Sequence, residues 1–270
     1  MPKSKQSDFS LVFDLWQTLC ENIISCSNSI LSVEEDEECV HQYRVAIRKA
    51  RSFLLFLKPL LKVAFFDTVN GQLKMSANHF SKAREWDVLI VYYQEEYLRQ
   101  VDEDPKLTEF LVNEQMRYRR MAYAEFDSNI IASVINTFKT DFKEIGFKGK
   151  ALKCSWDAFV KKRTKKLKRN IACLEKGLKP NDLKNVHAYR IANKRLRYVL
   201  ELLNPGVQGV FDKRIKRLKA KTNQLGSRCD LFVMQGDLRQ LCVQNTDQTG
   251  LLNNFLVFIS TEMTKSEANL

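Results

Sequence analysis

Two segments of the sequence carry a histidine followed by positively charged residues at matching intervals. Residues 40–58 read VHQYRVAIRKARSFLLFLK, and residues 186–203 read VHAYRIANKRLRYVLELL. Cations follow each histidine at offsets of three, seven and ten, and the two sets are His41, Arg44, Arg48 and Arg51, then His187, Arg190, Lys194 and Arg197. These offsets place the side chains on one stripe of an α-helix, because residues three and four apart lie above one another. Each segment therefore predicts a helix face that binds anions.

The apolar residues of both segments fall on a different helix face from the cations. They are Val40, Tyr43, Ile47, Ala50, Leu54 and Leu57 in the first segment and Val186, Tyr189, Ala192, Val199 and Leu203 in the second. Each helix can thus bury one side and present the other. One basic stripe is usually a solvated face with ion pairs, but two matched stripes favour a binding site. The sequence leaves open whether His41 and His187 contact an anion or hold the helices.

The rest of the chain consists of helical patterns separated by short breaks. Nine glycines and five prolines are few for 270 residues, which favours long helices. In the first half, apolar periodicity predicts helices over residues 9–28, 34–58, 65–101, 106–124 and 128–145. In the second half it predicts helices over residues 155–176, 186–203, 211–243 and 249–263. The sequence therefore predicts an all-α fold.

The histidine segments recur at an interval of about 145 residues, which indicates an internal repeat. Such a repeat predicts two stacked four-helix bundles related by a pseudo-two-fold axis. The first repeat covers residues 1–147 and the second covers residues 148–270. Because no low-complexity linker separates them, we expect one domain over residues 1–270.

The composition limits the kinds of partner that the protein has. A formal net charge of +12 and a pI near 9.3 indicate a polyanion such as nucleic acid, an acidic membrane face or a phosphate polymer. Solubilisation by lysine is the alternative that charge alone leaves open. Seven cysteines without a CxxC pair indicate reduced thiols, and no apolar run approaches the roughly 20 residues that cross a bilayer. We expect a soluble, cytoplasmic protein without membrane association, metal site or cofactor.

The paired motif resembles the signature of the CHAD domain, the conserved histidine α-helical domain. Its copies read His41-x-x-Arg44-x-x-x-Arg48-Lys49-x-Arg51 and His187-x-x-Arg190-x-x-x-Lys194-Arg195-x-Arg197-Tyr198. The similarity extends over essentially the whole chain. It implies two four-helix bundles whose basic helices face a central cleft or pore, and it implies binding of inorganic polyphosphate rather than catalysis.

The sequence also departs from the family pattern at specific positions. The first half has Phe80-Ser81 in place of Leu-Gly before the Arg-Asp pair, and Glu85 in place of the aspartate. In the second half Cys229 replaces the arginine, whereas Leu225-Gly226 and Asp230 are kept. These departures bear on the ligand role of Arg84 and leave the cationic stripes intact.

Polyphosphate is a flexible chain of negative charges without bases, so a site for it needs rows of arginine and lysine along a groove. Beyond the two stripes, four further cations share one helix face at spacings of three, seven and fourteen, and we expect them to line the same cleft. The predicted polyphosphate-binding residues are therefore His41, Arg44, Arg48, Arg51, His187, Arg190, Lys194, Arg197, Arg214, Arg217, Lys221 and Arg228.

Other functions stay open as alternatives. A helical protein that binds nucleic acid has the same charge but needs aromatic or recognition residues on an exposed face. An enzyme of phosphate metabolism is less well supported, because the sequence has no Gly-rich phosphate loop, GxSxG, HExxH or clustered carboxylates. A histidine scaffold that chelates metal is the weakest alternative. We predict no catalytic residues, and the sequence does not decide the oligomeric state.

Overall fold

The structure, a computed structural model, describes residues 9–32, 37–144, 146–148, 155–179, 182–246 and 249–268. The regular elements of these residues are helical, apart from one isolated bridge between Leu61 and Phe147. This confirms the predicted all-α fold. The α-helices are α1 (Phe9–Ser32), α2 (Glu37–Leu57), α3 (Val63–His79), α4 (Ser81–Tyr92), α5 (Pro105–Ala124), α6 (Ser128–Glu144), α7 (Trp156–Lys176), α8 (Leu183–Leu203), α9 (Asp212–Gln244) and α10 (Thr249–Ala268). A π-helical turn (Tyr93–Tyr97) extends α4, and a 3-10 turn (Pro205–Val207) follows α8.

The main departure from the predicted helices is a break at Phe80. The sequence predicts one helix over residues 65–101, but α3 ends just before Phe80 and α4 begins just after it. Phe80 has a φ of −92° and a ψ of 15°, and its ring is fully buried against the rings of Tyr43 and Phe126. Burying a phenylalanine side chain stabilises by about 1.5–3 kcal/mol, so the contacts of this ring help to hold the break.

The two motif helices, α2 and α8, pack against each other. In addition, α2 packs against α1 and α3, and α8 packs against α7 and α9. α4 lies on α5 and α9, and α10 lies on α9. Because α2 and α8 are in direct contact, both cationic stripes can face one cleft.

Three clusters of buried apolar side chains hold the helices together. The first lies between α1, α2, α3 and α6 and includes Val199 and Leu203 of α8. The second joins α4 and α5 to the C-terminal half of α9 and to α10. The third lies between α7, α8 and the N-terminal half of α9. Two of the clusters thus combine residues from both sides of residue 147. Six described α-helices precede residue 147 and four follow it, and the four-helix repeats with that boundary stay a prediction.

Arg163 of α7 caps the C-terminal end of α2. Its Nε donates to the carbonyl of Phe56, and its Nη2 donates to the carbonyl of Leu55, both at 2.9 Å. The last carbonyls of a helix have no partner within the helix, so a cation there completes their hydrogen bonding and suits the helix dipole. The C-terminal end of the first motif helix is therefore capped by a residue from the second half of the chain.

Within the described ranges, no helix has the length and hydropathy needed to span a membrane. Six described cysteines have free thiols, and Cys154 lies outside the described residues. The described residues contain no group of three or more histidine, cysteine or carboxylate side chains suited to a metal ion. The cytoplasmic location stays a prediction.

Candidate anion-binding cleft

A cleft of about 570 Å³ opens between α2, the break from α3 to α4, α8 and α9. Basic side chains from all of these elements except α9 line it: His41, Arg44, Arg48, Arg51, Arg84, His187, Arg190, Lys194 and Arg195. Two carboxylates, Glu85 and Asp230, lie among them. The other residues of the lining are uncharged. The cleft can therefore attract an anion from several sides.

Seven of the twelve predicted site residues line this cleft, and they come from both motif helices. They are His41, Arg44, Arg48, Arg51, His187, Arg190 and Lys194. The remaining predicted residues lie elsewhere: Arg197, Arg214, Arg217, Lys221 and Arg228. The structure adds Arg84 and Arg195 to the lining.

Arg197 is not part of the cleft lining although it continues the stripe of α8. Its Nε lies 3.6 Å from a carboxylate oxygen of Glu201, and its guanidinium lies 4.8 Å from the centre of the Tyr198 ring. The interaction with Glu201, one turn further along the same helix, holds Arg197 outside the cleft lining, whereas Arg51, at the same offset in the first motif, lines the cleft. Arg195, two positions earlier, lies on the cleft side instead.

Three predicted cations of α9 lie beside α7. Lys221 pairs with Glu175 of α7. Arg214 is close enough to Lys168 of α7 to add to the lowering of the pKa of that lysine, of which burial is the larger cause. Arg217 follows Arg214 by three residues and shares its side of α9. The spacing of these residues predicts a common face correctly, but that face does not line the cleft.

Packing inside the molecule explains this orientation. Leu218 and Leu225 belong to the apolar cluster between α7, α8 and α9, which sets the rotation of α9. Arg228 is only 2% exposed and lies on the wall of a neighbouring cavity. The sequence pattern alone does not reveal which helix covers the apolar side of α9.

Arg44 fastens α2 to the break between α3 and α4. Its Nη1 donates to the carbonyl of Ala77 at 2.5 Å and to the hydroxyl of Ser81 at 3.0 Å. Burial and the nearby Arg48 lower the pKa of Arg44 to about 10, so it stays charged at neutral pH. Arg44 therefore supports the cleft wall as well as lining it.

Arg190 is the corresponding residue of the second motif, and it lies between a glycine and a carboxylate. A Cβ added to Gly226 would be 3.4 Å from its Nη2, so the glycine leaves room for the guanidinium. The same Nη2 lies 3.8 Å from Asp230. Burial raises the pKa of Asp230, although Arg190 and Lys194 oppose this effect.

Arg84 reaches the cleft from α4 and is held by acidic residues. Its Nη1 lies 3.6 Å from Glu37 and 3.7 Å from Asp87. Asp87 is 2% exposed and also accepts hydrogen bonds from Arg119 at 2.7 Å and from Gln115 at 3.0 Å. A buried carboxylate needs such partners. Since two carboxylates lie close to Arg84, its charge is more fully balanced than the charge of the α2 and α8 cations.

Across the cleft, cations of one motif helix contribute to the lowered pKa of basic residues on the other. Burial is the largest cause of a Lys194 pKa of about 8, and Arg48 of α2 is among the cations that contribute. Burial lowers the pKa of Arg51, and Arg195 of α8 adds to the effect. Burial also lowers the pKa of His41, with Lys194 as one of the contributing cations. These charges therefore face each other without enough carboxylates to balance them.

The two histidines are neutral at pH 7. Burial lowers the pKa of His187, with Arg190 and Lys194 as further causes, and the pKa of His41 is lowered in the same way. A neutral imidazole can donate one hydrogen bond to an anion, and a bound polyanion would favour its protonated form. Their contact with a ligand stays a prediction.

Comparison with known proteins agrees with this architecture. A family model described as the CHAD domain matches residues 22–239. The structure is similar to the crystal structure of the CHAD domain from the plant Ricinus communis, with a TM-score of 0.76 and 18% sequence identity, covering 100% of this chain and 94% of that chain. At this identity the likeness shows the fold. No curated protein matches the chain in sequence.

Proposed function

The chain belongs to the CHAD domain family, and from that premise we propose that its cleft binds inorganic polyphosphate. The protein acts as a binding or targeting module, without a catalytic step. The polyphosphate chain lies between α2 and α8, in contact with cations of both helices.

The observation that carries this proposal is that cations of α2 and cations of α8 line the same cleft, close enough for Arg48 to contribute to the lowered pKa of Lys194 and for Arg195 to contribute to the lowered pKa of Arg51. Lys194 with Arg48, and Arg51 with Arg195, are like charges held near each other by the fold. Such an arrangement is unfavourable until an anion enters, since like charges held close together repel one another. A polyanion in the cleft removes this repulsion. The polyanion therefore gains more binding free energy in the cleft than it would from the same cations spread over an open surface.

A linear phosphate chain also suits the spacing of the site. Cations three or four positions apart on a helix are separated by roughly 5 Å along its axis. The planar guanidinium of arginine can bridge two phosphate oxygens. Tyr198 is the single tyrosine, phenylalanine or tryptophan in the described lining of the cleft. Single-stranded nucleic acid, which binds through rows of aromatic residues, is therefore less well supported as its ligand.

Titration calorimetry with long-chain polyphosphate tests the proposal. The double variant Arg48→Ala/Lys194→Ala removes one cation from each motif helix, and Lys62→Ala/Lys74→Ala removes two exposed lysines outside the cleft lining. A hydrogen bond to a charged group is worth about 1.5–3 kcal/mol, so we expect the cleft variant to bind about 100-fold more weakly. The control variant should keep nearly the affinity of the unchanged protein.

Single-stranded and duplex nucleic acids of matched charge, titrated at two salt concentrations, provide the comparison. Polyphosphate binding that persists at the higher salt supports a shaped site. Equal affinity for every polyanion, unchanged in the cleft variant and lost with salt as counterion release requires, would contradict the proposal.

A further inference from the structure

A second cationic surface lies where α7 and the N-terminal half of α9 run side by side. Two electrostatic interactions relate the helices: Arg214 adds to the lowering of the Lys168 pKa, of which burial is the larger cause, and Glu175 pairs with Lys221. Seven residues separate the two interactions on both helices, so α7 and this part of α9 are parallel and in register. Their apolar sides meet α8 in the third buried cluster. The residues of α8 that line the cleft point the other way, so α8 separates this surface from the cleft.

The charge of the two helices is strongly segregated. Residues 158–174 contain seven cations and no carboxylate, and residues 213–229 also contain seven cations and no carboxylate. The helical spacing places five of them on the facing flanks of α7 and α9, and we call these the α7–α9 surface: Lys161, Lys165, Lys168, Arg214 and Arg217. Four of the five are exposed and Lys168 is half-buried. Within the described residues none of them has an ion-pair partner.

We propose that the α7–α9 surface binds the phosphate backbone of duplex nucleic acid without reading its sequence. The surface is open, so it cannot surround a thin chain as the cleft can. A duplex is too wide for a cleft of about 570 Å³, but it offers a broad array of phosphates to both helices at once. α7 and α9 each pack against α8, and the ion pair between Glu175 and Lys221 bridges them. Their two rows of cations therefore form one broad basic surface that can contact several phosphates of a duplex at once.

The residue types favour this occupant. Three of the five are lysines, which bind phosphate as hydrated point charges without a fixed geometry. Residues 161–169 and 212–221 contain no aromatic residue, so the surface has no platform for stacking single-stranded bases. It also lacks the large apolar side chains with which a surface helix enters a membrane. Contact with a double-stranded backbone needs neither feature.

Fluorescence anisotropy of a labelled random-sequence duplex, measured with the full chain at several salt concentrations, tests the inference. The surface variant is Lys161→Gln/Lys165→Gln/Arg214→Gln/Arg217→Gln, and the cleft variant is Arg48→Gln/Lys194→Gln. A charge-matched control is Lys62→Gln/Lys74→Gln/Lys106→Gln/Lys143→Gln, four exposed lysines outside both regions. Thermal unfolding followed by circular dichroism confirms that each variant is folded.

We expect the surface variant to lose at least about ten-fold in duplex affinity at low salt. The slope of log K against log salt should fall by about three to four, because each phosphate contact contributes about 0.9. The cleft variant and the control should keep the affinity and slope of the unchanged protein. Polyphosphate that fills the cleft should not displace the duplex.

Three results would overturn the inference. The first is an equal loss in the surface variant and the charge-matched control. The second is duplex binding that requires the cleft residues and is displaced by polyphosphate, which would leave the proposed function intact. The third is binding to phosphatidylcholine vesicles containing phosphatidylserine, dependent on the α7–α9 surface, with no duplex binding. Conversely, polyphosphate binding unaffected by the cleft variant would contradict the proposed function and not this inference.

Discussion

Arg190 of α8 lies against Gly226 of α9, so closely that a Cβ on the glycine would be 3.4 Å from the arginine Nη2. In the first motif, Arg44 holds the matching position and donates to the hydroxyl of Ser81. One arginine is thus positioned by the space that a glycine leaves, and the other by a hydrogen bond. This difference gives a physical reason for Phe80-Ser81 in one half and Leu225-Gly226 in the other.

Replacement of Gly226 by valine should displace the Arg190 guanidinium. We expect polyphosphate affinity to fall about ten-fold, which corresponds to the loss of one charge-assisted contact. Gly236→Ala is the matched control in the same helix, because no atom lies within 4 Å of an added Cβ. Alanine there should raise the free energy of unfolding by about 0.5–1 kcal/mol and leave binding unchanged. Calorimetry and chemical denaturation measure the two effects, and unchanged polyphosphate affinity in Gly226→Val would contradict the assigned role of Arg190.

Lys194→Met should stabilise the protein and weaken polyphosphate binding. Burial and neighbouring cations lower the pKa of Lys194 from 10.5 to about 8. At neutral pH the lysine is still mostly charged, but this charge is less favourable in the folded protein than in the unfolded chain. Its removal should raise the free energy of unfolding at pH 7 by about 1 kcal/mol, after allowance for its partial exposure. Between pH 8 and 10.5 the unfolded chain binds more protons at this lysine, so the stability of the unchanged protein should rise towards that of the variant. Denaturation at pH 7 and 10 tests this, and a less stable variant at pH 7 would refute it.

Polyphosphate binding near pH 8 should take up protons. Lys194 is about half protonated at its folded pKa, and the bound polyanion raises that pKa, so we expect uptake of up to about half a proton. Affinity should therefore increase as pH falls from 9 to 7. Calorimetry in two buffers of different ionisation enthalpy measures the uptake. Lys194→Arg should still bind but take up far less, and equal uptake in this variant would assign the protons to other groups.

Arg195 and Arg197 offer a direct comparison between two neighbouring arginines of α8. Arg195 lines the cleft, whereas Arg197 pairs with Glu201 outside it. We expect Arg195→Ala to reduce polyphosphate affinity about ten-fold at low salt, and Arg197→Ala to change it much less. A larger loss of affinity in Arg197→Ala than in Arg195→Ala would mean that the ligand contacts the stripe predicted from sequence spacing, and not the cleft lining seen in the structure.

The sequence predicts the all-α fold and the family, because the apolar periodicity and the spacing of the cations can be recognised within a single helix. The stripes of Arg48, Arg51, Arg190 and Lys194 follow directly from residue spacing, and the structure places them in one cleft. Arg84 lies in a segment that departs from the family pattern, and only the structure assigns it to the cleft.

The parts that the sequence does not predict depend on contacts between helices. The break at Phe80 has no glycine or proline to mark it, and it follows from the burial of that ring and the hydrogen bond from Arg44 to Ala77. Arg214, Arg217 and Lys221 do share a face, but α7 and α8 decide where it points. Arg197 has the same offset from its histidine as Arg51, but it pairs with Glu201 and does not line the cleft.

Arg163, Val199 and Leu203 make the first half of the chain incomplete without the second. A fragment ending at residue 147 would leave the last carbonyls of α2 uncapped and would remove the buried side chains of Trp156, Val199 and Leu203 from the first apolar cluster. The two halves should therefore melt together in a single cooperative transition, even though each has its own histidine motif. The second copy of the motif is not a separable module, because the folding unit of the first copy includes it.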